Sequence, residues 1–269
     1  MVKIIDGAKL ADKIKDRIAR EIYEFNGPRP NLAVVLVGDR EDSKLYVSLK
    51  ERVGKVVGVD THIYKLAGDS SEKEILEVLD FLNKDVLIDA ILVQLPLPSK
   101  FDADKIIAAI DSQKDADGFH PRHPEYVVSP VLASVLACLE SIKFSAVGKT
   151  ACVLYNSEIF GLSIKEALEK LGLQIVPKSQ SVVADLLITA LGEPQKIKKD
   201  MIKEGATIID IGITKKGDQI LGDVDFEDIK DRAGFITPVP GGIGPMTIAF
   251  LFKNVLEIYK RNREIKKTA

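Results

Sequence analysis

A tyrosine and a lysine lie four residues apart in the stretch SKLYVSLKERVGKVVG, and this spacing places Tyr46 and Lys50 on one face of a helix. The charged residues of the stretch fall on one broad side of such a helix. The opposite, apolar side holds Lys50 together with Tyr46, Leu49, Val53, Val56 and Val57. A lysine at the edge of an apolar stripe is either a surface residue with a buried stem or a desolvated amine that can act as a base.

The stretch ITPVPGGIGPMT, residues 236–247, places Pro238, Pro240 and three glycines just before a predicted helix that has Pro245 in its first turn. Such a loop brings main-chain N–H groups close to a ligand, and glycine permits the closest approach. A tight turn between a strand and a helix explains one glycine and one proline, but it does not explain the whole string. The loop is therefore a candidate binding element.

Strand and helix patterns alternate through the first half of the chain. Amphipathic periodicity predicts helices, and continuous apolar runs predict strands that are buried on both faces. The predicted elements are a helix at 7–25, a strand at 32–38, the helix of Tyr46 and Lys50, a strand at 61–67, a helix at 70–83 and a strand at 88–98. A strand, a crossover helix and a further strand in this rhythm indicate a parallel α/β sheet.

A loop-rich segment at 111–130 indicates a domain boundary through its Pro, Gly, His and Asp content. Beyond it the pattern predicts helices at 131–142 and 161–171, strands at 150–155, 173–176, 184–192 and 205–213, and a final helix with Pro245 in its first turn. Four strands with intervening helices are typical of a doubly wound dinucleotide-binding unit. The predicted fold class is therefore α/β, with an N-terminal α/β catalytic domain and a Rossmann-like doubly wound domain.

Composition argues against several classes of function. The 269 residues carry a net charge of −2, which gives no electrostatic footprint for nucleic acid or for an acidic membrane surface. No window approaches the ~18 apolar residues of a membrane span, and the N-terminus lacks the features of a secretory signal. Cys138 and Cys152 indicate reduced, buried thiols in a cytoplasmic protein. His120 and His123 have no further histidine or cysteine nearby, so we expect no metal site.

Four motifs occur along the chain: SKLYVSLK with a Tyr-Val-x-x-Lys pattern, VQLPLP at 93–98, KDADGFHP at 114–121, and TPVPGGIGPMT. In this order and at these spacings they resemble the bifunctional methylenetetrahydrofolate dehydrogenase/methenyltetrahydrofolate cyclohydrolase family, and GDVD at 222–225 also fits. The resemblance covers essentially the whole chain. Each motif alone is a weak signal, whereas the set is highly specific.

The resemblance implies a two-step reaction of one-carbon metabolism, within purine biosynthesis. A hydride moves from 5,10-methylene-tetrahydrofolate to NADP, and water then opens the 5,10-methenyl cation to 10-formyl-tetrahydrofolate. By resemblance Lys50 is the general base of the second step, since burial and a nearby cation lower the pKa of a lysine. Gln94 orients that lysine, Tyr46 offers an aromatic face and a hydroxyl, and Asp117 binds the pterin edge.

The resemblance also implies where the folate binds. The folate is expected in a cleft between the two domains, with its reacting carbon facing the nicotinamide near Pro240, Gly241 and Gly242. The residues expected to bind the dinucleotide are Asn156, Ser157, Ile159, Lys178, Ser179, Ala190, Gly192 and Ile213.

The dinucleotide turn departs from the family's common Gly-Arg-Ser-x-x-Val-Gly-x-Pro. The chain reads YNSEIFGLS, so Tyr155 replaces the glycine and Asn156 replaces the arginine that helps to hold the 2′-phosphate of NADP. The following strand ends in VPKSQS, without the acidic residue that an NAD site usually places there. Lys178 and Ser179 can bind a phosphate in place of the arginine. We expect NADP, with NAD as the alternative.

The predicted domains are a folate-binding catalytic domain, 1–118 with a returning C-terminal helix at 245–269, and a dinucleotide-binding domain at 122–244. A homodimer is expected from the resemblance, with the cofactor domain as the contact surface. Three alternatives stay open: a family member with only one of the two activities, another two-domain Rossmann oxidoreductase, and a non-catalytic nucleotide sensor. The second leaves the pairing of Tyr46 with Lys50 without a purpose, and the intact PVPGGIGPMT loop argues against the third.

Overall fold

A computed structural model describes residues 2–217 and 219–268, with the backbone alone described for Ile159 and for 264–268. Within these residues the helices are α1 (Gly7–Phe25), α2 (Glu41–Val57), α3 (Glu72–Lys84), α4 (Ala103–Ala108), α5 (Pro130–Ser141), α6 (Glu158–Lys170), α7 (Phe226–Ile229) and α8 (Ile243–Thr268). The strands are β1 (Lys3–Ile4), β2 (Asn31–Val37), β3 (Asp60–Leu66), β4 (Ala90–Val93), β5 (Thr150–Tyr155), β6 (Gln174–Ile175), β7 (Leu186–Ala190), β8 (Thr207–Asp210), β9 (Thr214–Lys216), β10 (Gln219–Leu221) and β11 (Phe235–Ile236). The alternation of strands and helices confirms the predicted α/β class.

The chain forms two compact units, whose boundaries fall within α1 and within α8. The three-stranded unit comprises Ala11–Pro130 and Ile248–Ala269, and the six-stranded unit comprises Met1–Leu10 and Val131–Thr247. This division differs from the predicted domains at the N-terminus, and the boundary between the units falls after Pro130 rather than between 118 and 122. The first ten residues go with the six-stranded unit because β1 pairs in parallel with β11, and strands of two residues have no periodicity that a sequence pattern can reveal.

β2 is the central strand of the three-stranded unit, where the order is β3-β2-β4 and both pairings are parallel. Its even-numbered residues join a core cluster with side chains of α2 and α8. Its odd-numbered residues from Ala33 to Val37 pack with Ile75 and Leu79 of α3. Because β2 is covered on both faces, its sequence is an uninterrupted apolar run rather than an alternating one.

The six-stranded sheet has the order β1-β11-β8-β7-β5-β6, and every pairing in it is parallel. The carboxyl ends of its strands therefore lie along one edge of the sheet. The chain steps from β5 to β6 on one side and then to β7 on the other, so the sheet has the switch point beside which doubly wound folds bind their ligands. The sequence patterns predicted β5 to β8, but they did not reveal β1, β11 or the antiparallel hairpin of β9 and β10.

Local sequence sets two helix ends in the three-stranded unit. The Ser71 hydroxyl accepts a hydrogen bond from the Glu74 N–H at 3.2 Å, and the Glu74 carboxylate accepts one from the Ser71 N–H at 2.6 Å. This capping box starts α3 at Glu72. α2 ends at Val57 because Gly58 adopts a left-handed conformation with a φ of 85°.

Two further properties follow from the described part of the chain. None of its helices is long and apolar enough to cross a membrane. Cys138 and Cys152 are both buried as free thiols, and burial raises their pKa values to about 12 and about 11. The predicted burial of both thiols is confirmed.

Candidate active site

The buried face of α2 carries a lysine. Its buried residues are Ser43, Val47, Lys50, Gly54 and Val57. Val56 is 67% exposed, so the predicted apolar stripe is wrong at that position. The helix comes closest to the core at Gly54, where a Cβ would overlap the Thr61 hydroxyl and crowd Phe252. Because α2 approaches the core along this line, Lys50 lies one turn from Gly54 on the buried face and is only 9% exposed.

Lys50 is hydrogen-bonded to Gln94, which lies 44 positions further along the chain. The Lys50 Nζ donates to the Gln94 Oε1 at 2.7 Å, and Gln94 is itself buried. Gln94 directly follows β4, and its backbone N–H donates to the Val35 carbonyl of β2 at 2.9 Å. Its Nε2 donates to the Leu95 carbonyl at 2.6 Å. The amide is thus held from both sides, and its oxygen fixes the lysine nitrogen at the carboxyl end of β4.

Burial changes the protonation of two groups at this site. It lowers the pKa of Lys50, and the negative charge of Asp117 partly offsets this effect. Burial also raises the pKa of Asp117 to about 6, an effect that Lys50 opposes and Asp115 reinforces. The lowered pKa of Lys50 favours the neutral amine, which is the form able to accept a proton.

Asp117 is positioned by a loop that Asp115 organises. The buried Asp115 carboxylate accepts from the backbone N–H of Asp117 at 3.1 Å and from that of His120 at 2.8 Å. Asp115 also lies beside Ile91 of β4 through a parallel bridge. The buried His120 accepts at Nδ1 from the Arg122 N–H at 2.9 Å, so its ring is a structural part of the loop.

Tyr46 and Ser43 lie near Lys50 on α2. Tyr46 is half-buried one turn before the lysine, and burial, followed by the charge of Asp42, raises the pKa of its phenol. The hydroxyl therefore stays protonated and able to donate. Ser43 lies two turns before Lys50, and its Oγ has no hydrogen-bond partner within the described residues. Ser43 was not predicted, although its seven-residue spacing from Lys50 on a helix was an available signal.

The residues predicted to bind the dinucleotide come together at one edge of the six-stranded sheet. They follow the carboxyl ends of parallel strands: Asn156 and Ser157 after β5, Lys178 and Ser179 after β6, Ala190 and Gly192 at and beyond the end of β7, and Ile213 after β8. Pro240, Gly241 and Gly242, which were predicted to contact the substrate, follow β11 of the same sheet. Ile159 belongs to the first turn of α6, and its side chain lies outside the described part of the chain. This edge is the one that a doubly wound fold uses for ligands.

Asn156 is engaged by the chain itself. Its Nδ2 donates to the Leu191 carbonyl at 2.8 Å, and its backbone N–H donates to the Ala190 carbonyl at 3.3 Å. The side chain thus ties the end of β5 to the loop after β7, and it brings no positive charge. Lys178 and Ser179 are exposed in the short 3₁₀ helix that follows β6, where a phosphate can reach them.

The glycines of the TPVPGG loop serve two different purposes. Gly241 has a left-handed φ of 102°, which other residues adopt only with strain. A Cβ at Gly242 would overlap the Pro238 carbonyl, and a Cβ at Gly7 of α1 would overlap the Gly242 carbonyl. The Ala8 N–H donates to the Gly241 carbonyl at 2.8 Å. At Gly242 the close approach comes from the chain's own backbone, which anchors the loop on α1.

A buried lysine–glutamine pair on one α/β unit, and a parallel sheet with a ligand-binding edge in the other, define a two-domain α/β enzyme with a dinucleotide-binding domain. Comparison with known families leads to a particular one. Residues 5–117 match the catalytic domain of tetrahydrofolate dehydrogenase/cyclohydrolase, and residues 130–263 match its NAD(P)-binding domain. The chain belongs to the tetrahydrofolate dehydrogenase/cyclohydrolase family, as its motifs predict.

Individual relatives cover nearly the whole chain. The bifunctional protein FolD of Pelobacter propionicus is 42% identical over 279 residues, which cover 97% of this chain and 99% of that protein. The crystal structure of the bifunctional enzyme FolD from Campylobacter jejuni is 33% identical with a TM-score of 0.92, and the match covers 97% of this chain and 100% of that one. The Trypanosoma brucei FolD, whose structure is a complex with NADP and an inhibitor, is 27% identical with a TM-score of 0.91, over 97% of this chain and 98% of that one.

Proposed function

We propose that this protein is a bifunctional methylenetetrahydrofolate dehydrogenase and methenyltetrahydrofolate cyclohydrolase that uses NADP. It oxidises 5,10-methylene-tetrahydrofolate to the 5,10-methenyl cation and hydrolyses that cation to 10-formyl-tetrahydrofolate. The observation that carries the proposal is the buried hydrogen bond between Lys50 and Gln94. It lies in the unit that matches the catalytic domain of a family whose members include enzymes named for both activities.

Lys50 serves as the general base of ring opening. Burial lowers its pKa, so its neutral amine accepts a proton from the water that attacks the methenyl carbon. The positive charge of the methenyl ring disfavours the protonated amine further. Gln94 accepts one N–H of the amine and leaves the nitrogen lone pair for the water. The C–N5 bond of the resulting adduct then breaks, N5 regains a proton, and the carbon remains on N10 as a formyl group.

The substrate is held by groups that recognise its ring system. The ionised carboxylate of Asp117 accepts hydrogen bonds from the 2-amino group and N3–H of the pterin, a paired and charge-assisted contact. The ring of Tyr46 offers a flat surface for an aromatic part of the substrate. For Pro240, Gly241 and Gly242, a contact with the substrate is implied by the family resemblance alone.

Bound NADP supplies the hydride acceptor, and the carboxyl edge of the six-stranded sheet supplies the groups that hold it. The edge fits this ligand because Gly192 exposes its backbone at a φ of 69° and because α6 begins there at Glu158, just after Ser157. Lys178 and Ser179 bind the 2′-phosphate in place of the family's usual arginine. The absence of an acidic residue from VPKSQS favours NADP over NAD.

An assay that follows reduced nicotinamide and the methenyl chromophore together tests both steps. With methylene-tetrahydrofolate and NADP, we expect reduced nicotinamide to form and the methenyl signal to rise and then decay. Lys50→Met should let the methenyl product accumulate, with a cyclohydrolase rate lower by roughly 10²- to 10⁴-fold, because the base that activates water is gone.

Lys55→Met is the matched control for Lys50→Met. Lys55 is an exposed lysine of the same helix and pairs with Glu51 at 3.0 Å, so its removal should leave both rates nearly unchanged. Full cyclohydrolase activity in Lys50→Met would refute the role of Lys50. A methenyl signal that never decays in the wild type would instead identify a family member with the dehydrogenase activity alone.

We further infer that the protein works as a cytoplasmic homodimer in one-carbon metabolism and that its formyl product serves purine biosynthesis. The family resemblance supports this setting. Light scattering of the purified protein measures its mass in solution, and the mass of one chain would contradict the dimer.

A further inference from the structure

Two buried aspartates of the six-stranded unit have no part in the proposed chemistry. Asp210 is the last residue of β8, and Asp223 belongs to the GDVD stretch; both are almost completely buried. A buried carboxylate costs free energy unless hydrogen bonds or charges compensate it. Both carboxylates accept mainly from backbone N–H groups. What they hold in place is therefore the main chain.

Asp223 holds the loop that follows β7. Its Oδ2 accepts from the Leu191 N–H at 2.6 Å and from the Thr189 hydroxyl at 2.8 Å. Its Oδ1 accepts from the Glu193 N–H at 2.9 Å. Two of these donors flank Gly192, which has a left-handed backbone. One carboxylate thus fixes the main chain on both sides of a residue proposed to bind the dinucleotide.

Asp210 in turn holds the segment that carries Asp223. Its Oδ1 accepts from the N–H groups of Gly212 at 2.9 Å and of Asp223 at 3.2 Å, and its Oδ2 accepts from the Val224 N–H at 2.9 Å. Glycine is required at both points of closest approach. A Cβ at Gly212 would overlap the Asp223 carboxylate, and a Cβ at Gly222 would overlap the Asp210 carboxylate.

These contacts continue across the sheet in the order of its strands. The Asn156 side chain, after β5, donates to the Leu191 carbonyl, after β7. Asp223 joins that loop to Asp210 at the end of β8. The Asp210 N–H then donates to the Thr237 hydroxyl, after β11, at 2.8 Å. One chain of hydrogen bonds therefore links the loops after four neighbouring strands, and Asp223 is its link between β7 and β8.

We propose that Asp223 is a positioning residue for the dinucleotide, which it serves through the loop after β7 without touching the ligand. This inference rests on the proposed function, because it takes Gly192 and its neighbours as part of the NADP site. Asp223 has no exposed surface to offer a ligand. Its hydrogen bonds set the loop before the ligand arrives, which reduces the ordering cost of binding. Without the carboxylate, the N–H groups of Leu191 and Glu193 lose their acceptors and the loop must rearrange to satisfy them.

Asp223→Asn tests the proposal, because it keeps the shape of the side chain and removes its charge and one acceptor oxygen. We expect the Kd for NADPH, measured by calorimetry, to rise roughly tenfold or more, since two charge-assisted hydrogen bonds to the loop are weakened. Cyclohydrolase activity should stay close to that of the wild type, because Lys50 and Gln94 belong to the three-stranded unit. A purely structural role would lower both.

Asp225→Asn is the matched control. It also removes one carboxylate charge, but from a residue two positions further along the chain. The Asp225 carboxylate caps α7 by accepting from the Asp228 N–H at 3.3 Å. This variant should bind NADPH as the wild type does. Wild-type affinity in Asp223→Asn would overturn the inference, whereas a wild type that binds no NADPH would overturn the proposed function.

Hydrogen–deuterium exchange decides the case in which Asp223→Asn fails to fold. In the wild type without ligand, the amides of Leu191 and Glu193 should exchange slowly, because each already donates to the buried carboxylate. Exchange of these two amides at an unprotected rate would overturn the inference, since the loop would then not be set in advance.

Discussion

Lys50 and Asp117 respond to the same burial in opposite senses. The pKa of the amine falls, and the pKa of the carboxyl rises to about 6. At neutral pH the carboxylate is still mostly ionised, while the amine loses its proton more readily than an ordinary lysine does. This combination suits the roles proposed for the two residues, an anion for the N–H groups of the pterin and a base for the proton of the attacking water.

The raised pKa of Asp117 predicts a loss of activity on the acid side. Its pKa lies near 6, so the carboxyl takes up a proton as the pH falls through about 6 and can no longer accept two N–H donors. In the wild type, kcat/KM of the dehydrogenase reaction for methylene-tetrahydrofolate, which does not use Lys50 as a base, should fall about tenfold per pH unit below about 6. Asp117→Asn should reduce kcat/KM at pH 8 roughly tenfold or more and remove this acid limb, as pH–rate profiles of both proteins would show.

The raised pKa of Asp117 affects stability in the opposite direction to its effect on activity: acid favours the fold, whereas it lowers the activity. An acid whose pKa is higher in the folded state contributes stability that is present below its unfolded pKa of 3.8 and is lost as the pH rises through about 6. Asp117→Asn should therefore have a higher Tm than the wild type at pH 8, and the difference should shrink toward pH 4. If the Tm difference were the same at pH 8 and at pH 4, ionised Asp117 would not destabilise the fold.

The site residues differ in how far sequence could locate them. Lys50 was ambiguous from its helix alone, and the family motifs paired it with Gln94, to which it is hydrogen-bonded. For Ser43 and Asn156, no local sequence pattern could predict the surroundings of the side chain. The burial of the Ser43 hydroxyl depends on where α2 packs, and the partner of Asn156 is a carbonyl 35 residues away. Tertiary contacts decide both.

At the scale of elements, periodic segments were predictable and short ones were not. α1 was predicted at its observed bounds, because several turns of amphipathic pattern specify it. α6 begins at Glu158, three residues before its predicted start, and Ser157 makes no capping hydrogen bond that would mark this end. β1 and β11 have two residues each and exist through their pairing in the sheet. A local sequence pattern does not reveal which strands will pair.

The turn between β5 and α6 shows how an element accommodates an unusual residue. Tyr155 ends β5, and a Cβ added at Gly161 of α6 would overlap its ring. The Lys165 Nζ donates to the Tyr155 hydroxyl at 2.9 Å, and that hydroxyl donates to the Glu158 carboxylate at 3.3 Å. The ring therefore fills the space between strand and helix, and the helix tolerates it only because residue 161 is glycine.

Gly161→Ala tests this packing through a double-mutant cycle with Tyr155→Ala. In the wild-type background the new methyl group overlaps the ring, so the free energy of unfolding should fall by about 1–3 kcal/mol. In the Tyr155→Ala background the overlap is gone, and alanine should be neutral or stabilising because it favours a helix over glycine. Denaturant unfolding of the four proteins measures both steps. An equal cost in the two backgrounds would mean that the ring and the glycine do not interact.

For the whole molecule, the groups proposed for ring opening and those proposed to hold the dinucleotide belong to different units. Lys50, Gln94 and Asp117 belong to the three-stranded unit, and the proposed dinucleotide contacts belong to the six-stranded unit. Each unit has core clusters of its own. A substitution at one of the proposed dinucleotide contacts, away from Pro240, Gly241 and Gly242, should therefore change the dehydrogenase reaction and leave ring opening by Lys50 intact.

The choice between NADP and NAD concerns the six-stranded unit alone. The family pattern left this choice open, because Asn156 replaces the arginine that usually holds the 2′-phosphate. The side chain of Asn156 is bonded within the chain and carries no charge, so the exposed Lys178 is the cation proposed to meet the 2′-phosphate. Lys178→Ala should raise the apparent KM for NADP roughly tenfold, because a charge-assisted contact is lost. The apparent KM for NAD, which lacks that phosphate, should change little, and so should the cyclohydrolase rate.

Lys170→Ala is the control for a general loss of positive charge from the six-stranded unit. Lys170 lies in the last turn of α6 and pairs with Glu166 at 2.8 Å, so its removal should leave both apparent KM values as they are. The ratio of the two KM values separates the outcomes. If Lys178→Ala raised the KM for NADP and for NAD equally, the lysine would act on the shared part of the dinucleotide. If the wild type preferred NAD and Lys178→Ala did not alter that preference, the phosphate role of Lys178 would be wrong.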